Sequence, residues 1–165
     1  MTEWAYDEDR TYHGVEDPET GETRIEVERA EFGPTQRSGV IVLRVLPPAD
    51  SPSLKREKFA WGWVGGGPRA SAWAVLADAL GQKPSPEITA AFAQDFMSQF
   101  SGEWRLRRGA ILRWARGWCA QNNVDVLPVT LRNLPPTDPS GYAELPDELE
   151  KQRIERITGK PHPRG

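Results

Sequence analysis

The residues best placed by type and spacing to hold a ligand lie in Trp61-Gly62-Trp63-Val64-Gly65-Gly66-Gly67-Pro68-Arg69-Ala70. Backbone N–H groups left exposed by glycines at the start of a helix attract phosphate or carboxylate. Arg69 adds a cation, and Trp61 and Trp63, read as sharing one face of a strand, offer rings for stacking on a nucleobase or a nucleotide ring. Pro68 removes one donor, and no lysine followed by serine or threonine completes a triphosphate loop, so a Walker-type ATPase is disfavoured. The same glycines permit positive φ angles and close packing of helix on strand, and a tight structural turn is the weightier reading of Gly65, Gly66 and Gly67.

A second constellation is electrostatic. Residues 101 to 120 carry Arg105, Arg107, Arg108, Arg113 and Arg116 against Glu103 alone, a net of +4, whereas residues 1 to 31 hold eleven acids against Arg10, Arg24 and Arg29, a net of −8. Arginine suits phosphate and carboxylate because its planar fork makes paired hydrogen bonds. The whole chain has an isoelectric point near 5.5, which weighs against a dedicated nucleic-acid binder. An acidic partner, head-to-tail self-association or the chain's own acidic segment would answer the patch equally well.

Catalytic groups are sparse. Cys119 falls on the apolar face of a predicted helix and His13 in a predicted hairpin, so nucleophile and base have no reason to meet. One cysteine and two histidines exclude a zinc site built from nitrogen and sulfur, leaving carboxylates as the only route to a metal. Asp78 and Asp95 lie near helix faces expected to be buried and offer a conceivable general acid–base pair, but for Asp78, near the end of its helix, capping or solvation is the simpler role. No catalytic residue, metal site or cofactor is therefore assigned.

The elements that must position these residues follow from periodicity. Arg10–Val15 and Thr23–Glu28 read as strands of an antiparallel hairpin around the turn Asp17-Pro18-Glu19-Thr20-Gly21. Gly39–Leu46 is a near-continuous branched-aliphatic run, which predicts a central strand covered on both faces. A further strand is expected to end in Trp61 and Trp63. Helices are predicted from about Pro68 to Leu80, closed by Gly81; from Ser85 as N-cap with Pro86 and Glu87 in the first turn to about Phe100; and from about Gly109 to Gln121. Val124–Leu131 reads as one more strand, confined to an edge or broken by Pro128.

These elements define an α+β fold, an N-terminal antiparallel sheet packed against two or three helices. Residues 1–9 form an acidic lead-in, 10–122 the core domain, and 123–165 an extended proline-rich tail with a short helix from Pro146 to Thr158. No apolar run reaches the ~20 residues that span a bilayer, and the acidic start differs from a signal peptide, so a cytoplasmic location and no membrane association are expected.

The Trp61–Ala70 stretch resembles a family of small uncharacterised bacterial, phage and plasmid domains marked by a Trp-Gly-Tyr-Gly-Gly-Ser-Gly-Pro-Ala type motif, with Val64 and Arg69 as departures. Leu76-Ala77-Asp78-Ala79-Leu80-Gly81 is similar to the family's next feature, and Tyr12-His13-Gly14 and Trp104-Arg105-Leu106 are looser matches. The resemblance, over roughly residues 10 to 118, implies association with mobile elements and no particular activity. Together with the segregated charge and the missing catalytic groups, it leads to the expectation of a non-enzymatic interaction protein of a phage or plasmid. Its partner would be a protein, such as a host defence complex that it inhibits, with homo-oligomerisation a further option. The alternative is a nucleotide- or nucleic-acid-binding module using the Gly65–Gly67 loop and the arginines of the third helix.

Overall fold

The computed structural model describes residues 10–32, 38–124 and 126–132. The expected lead-in, the tail beyond Arg132 and its Pro146–Thr158 helix lie outside the described residues. Within them the chain is α+β: strands β1 (Arg10–Glu16), β2 (Thr23–Phe32), β3 (Ser38–Val45) and β4 (Trp104–Arg107) form one antiparallel sheet in the order β3-β2-β1-β4. Helices α1 (Gly66–Leu80), α2 (Pro86–Asp95), α3 (Arg108–Gln121) and the single turn α4 (Val129–Arg132) account for the rest, with a 3₁₀ turn at Met97–Gln99.

The hairpin β1–β2 forms as the alternation requires. Tyr12, Ile25 and Val27 point into the core, and Asp17 stabilises the turn by accepting from the Glu19 and Thr20 N–H groups. Those two donors hold the Asp17 carboxyl below its usual range. Helix α1 is buried on most sides, as its scarcity of polar residues demands, because the sheet covers one side while α2 and α3 pack on others. Its C-terminus is closed by Gly81 at φ 73°, where the amide donates to Ala77 O. Helix α2 begins as read: the Ser85 Oγ accepts from Ile88 N at 3.3 Å, with Pro86 and Glu87 in the first turn. It stops at Asp95, five residues short of the expected end, and the 3₁₀ turn then lets Phe92, Phe96 and Phe100 gather around Trp114 and Trp104.

Four expectations are corrected. Strand β3 is an edge strand, not a central one, and it leaves Val40, Val42, Leu43 and Val45 exposed at 59%, 48%, 39% and 51%. No strand ends in Trp61 and Trp63; the chain crosses there as an irregular strap, with Trp61 buried and Trp63 half exposed. Trp104–Arg107, assigned to no element from the sequence, is a strand that pairs with β1. Val124–Leu131 is not a strand, since Pro128 starts the helical turn α4 by accepting from Leu131 and Arg132.

Candidate functional site

The glycine loop is filled from within. Gly65 is extended at φ 163° and Gly66 and Gly67 are helical, so close approach rather than a positive φ sets the need for glycine. A Cβ at Gly65 would sit 2.1 Å from the Trp63 ring, one at Gly66 2.6 Å from the Glu57 carboxylate, and one at Gly67 2.7 Å from the Ala60 Cβ. Glu57 thus sets one of the chain's own carboxylates against the first residue of the helix. Gly66 and Arg69, with Trp73 and Lys83, line a groove of about 620 Å³, and Lys83 is engaged by Asp50 at 3.0 Å. The groove includes neither Gly65, Gly67, Trp61 nor Trp63.

Trp61 is a packing residue. Its ring meets Trp104 edge-on at 5.4 Å and its Nε1 donates to Gly102 O at 2.8 Å. Trp104 in turn lies across β1 so closely that a Cβ on Gly14 would be 2.1 Å from its Nε1. Asp78 accepts from the Tyr12 hydroxyl at 2.6 Å and pairs with Arg44 and, at 3.5 Å, with Arg10, tying α1 to two strands, β1 and β3. Burial first, and then the Asp78 charge and hydrogen bond, push the Tyr12 phenol well above its usual range. The residues that carry the resemblance therefore hold one another in place.

The five arginines do not form one surface. Arg105 and Arg107 stand opposite His13 and Thr11 on the outer face of the sheet. Arg108 is buried at 3% exposure and its Nε donates to Ala79 O at 3.0 Å, while Arg116 is exposed on α3 and Arg113 half-buried. Asp95 accepts from Trp114 Nε1 at 2.9 Å. Cys119 belongs to the core cluster, where burial pushes its thiol up, and His13 lies on the other side of the sheet. Cys119 thus does not meet His13, and Asp78 and Asp95 engage separate partners.

Two features of the outer sheet face went unread in the sequence. The first is the exposed row Val40, Val42 and Val45 on β3, beside a register shift at Val27/Glu28 that makes Leu43 the extra residue. The second is a charged cluster on β1 and β2. His13 Nδ1 lies 2.6 Å from Glu28 Oε2 and 3.7 Å from Glu26 Oε1, and Nε2 is 3.0 Å from Glu103 Oε2. Arg105 Nε donates to Glu28 Oε1 at 3.1 Å, and Arg24 Nε to Glu26 Oε2 at 2.7 Å. The alternation of Thr23–Glu28 put Glu26 and Glu28 on one face, but only pairing with β1 shows that His13 stands beside them.

The fold and its site define a small α+β domain, a four-stranded antiparallel sheet with helices on one face and a polar, partly apolar surface on the other. The chain belongs to a family of unknown function (DUF6166), matched over residues 32–117. No curated protein and no solved structure matches it.

Proposed function

We propose that the chain is a non-enzymatic protein-interaction module that presents the β3 edge to its partner. The observation that carries this reading is that β3 hydrogen-bonds to β2 alone among the described residues, while four large aliphatic side chains on it stay exposed. An extended segment added to such an edge gains main-chain hydrogen bonds and alternate apolar contacts. A phage or plasmid setting, and a host defence complex as partner, are carried by the resemblance of Trp61–Ala70.

The test compares affinity capture by the wild type, by Val42→Lys, and by Arg107→Glu with Arg116→Glu. The edge reading expects the captured protein to be lost with Val42→Lys and kept with the arginine pair. The reverse pattern overturns it and favours nucleic acid. A nucleotide reading has one observation behind it, the groove holding Gly66, Arg69 and Lys83. It expects a thermal shift with a nucleoside triphosphate that Arg69→Ala abolishes.

A further inference from the structure

The geometry points to a divalent transition-metal site on the outer sheet face, formed by His13 Nδ1, Glu26 Oε1 and Glu28 Oε2. These atoms all lie within 4.8 Å of one another and come from adjacent strands, with His13 directly opposite Glu26 in the register. The sheet backbone therefore fixes their relative positions. His13 and Glu28 are buried at 7% and 4% exposure, and Glu26 is mostly covered, which separates this group from acids scattered on a surface.

The ring also meets a carboxylate on its other side. Nε2 lies 3.0 Å from Glu103 Oε2, and a proton held on Nε2 for that carboxylate leaves the Nδ1 lone pair for a cation. Nδ1 then faces two carboxylates, and a separation of 2.6 Å from Glu28 Oε2 requires a positive centre between the two atoms. At this distance a shared proton meets that requirement, and a metal ion takes its place once Nδ1 and Oε2 part to the spacing of two ligand atoms. Ligand bonds of about 2.1 Å in a tetrahedral site put ligand atoms about 3.4 Å apart, and the observed 2.6 Å and 3.7 Å lie on either side of that value. One imidazole nitrogen with two carboxylate oxygens suits zinc or a neighbouring transition ion better than magnesium or calcium, which take oxygen ligands.

Arg105 is the competing cation. Its Nε holds Glu28 Oε1 at 3.1 Å and its Nη2 is 3.4 Å from His13 Nδ1, but its side chain is 55% exposed and can swing into solvent. The three ligand residues precede the matched span 32–117, and the inference stands independently of the β3-edge reading.

The experiment is calorimetric titration of the full chain, first stripped with chelator, with Zn²⁺ and in parallel with Mg²⁺. One Zn²⁺ per chain is expected, with no comparable Mg²⁺ binding. Glu26→Gln and Glu28→Gln should each weaken Zn²⁺ binding at least ~10-fold, and Glu103→Gln, which loosens the ring, by ~10–100-fold. Arg105→Ala should tighten it, an outcome that a merely structural ion-pair network does not produce. Should His13→Ala or Glu28→Gln fail to fold, Glu26→Gln and Arg105→Ala, at the less buried positions, carry the test. Absence of one-to-one Zn²⁺ binding, or binding unchanged by Glu26→Gln with no gain in Arg105→Ala, overturns the site and leaves a proton-bridged network.

Discussion

At the scale of single residues, the contact between Tyr12 and Asp78 joins β1 to α1 and makes the clearest energetic statement in the molecule. A buried phenol donating to a carboxylate is worth roughly 1.5–3 kcal/mol, so Tyr12→Phe should lower stability in urea by about that much. It should also change the alkaline limb of the stability profile. The folded phenol titrates above the unfolded one, so its contribution is complete below the unfolded value near pH ~10 and is lost as pH rises beyond it. Denaturation followed from pH 8 to 12 should show a decline that is shallower in Tyr12→Phe. This contact could not be read from the sequence, because Tyr12 and Asp78 are far apart in the chain and a helix-end aspartate has a local role available to it.

The individual elements show why parts of the fold were legible. Ser85, Pro86 and Gly81 mark helix ends through backbone chemistry that depends on immediate neighbours, and all three act as the sequence indicates. Trp61 and Trp63 misled because alternating aromatics imitate a strand, whereas the strap they belong to is held by α1 itself. Ser71 Oγ accepts from Ala60 N and donates to Ala60 O, each at 2.9 Å, in place of a ladder. Ser71→Ala leaves the Ala60 amide without its acceptor and should cost about 1–3 kcal/mol. Gly67→Ala, forced against Ala60 Cβ at 2.7 Å and Lys58 O at 3.1 Å, should cost about 1–3 kcal/mol through overpacking. Thermal unfolding of both variants beside Gly117→Ala, where an added Cβ meets nothing, checks the contrast.

For the whole molecule, the sheet order decides what is exposed, and sheet order is the property that local pattern carries least. Gly39–Leu46 has the composition of an interior strand, yet β4 takes the position beside β1 and leaves β3 outermost. The single charge within Gly39–Val45, Arg44, is turned inward to Asp78, so it gives the rim little protection. Val42→Lys should therefore reduce light scattering on heating and leave the melting midpoint nearly unchanged. A fall in midpoint comparable to that of a core substitution would show that β3 is covered. The outer-face cluster was half legible: the acids were visible in the alternation of β2, but the histidine's arrival beside them depends on pairing between strands.

The pairing of Thr11–Gly14 with Trp104–Arg107 also has a consequence for biosynthesis. On the ribosome β1, β2, β3, α1 and α2 emerge before the segment that seals the near side of β1, so the described sheet has two bare rims until Trp104–Arg107 follows. Strand β4 runs without a break into α3, and its arrival delivers the last described strand and a helix of the core in one step. The described sheet can complete its pairing only after Arg107 has emerged, and a ribosome stalled before Trp104 would hold a product with a sticky margin on each side.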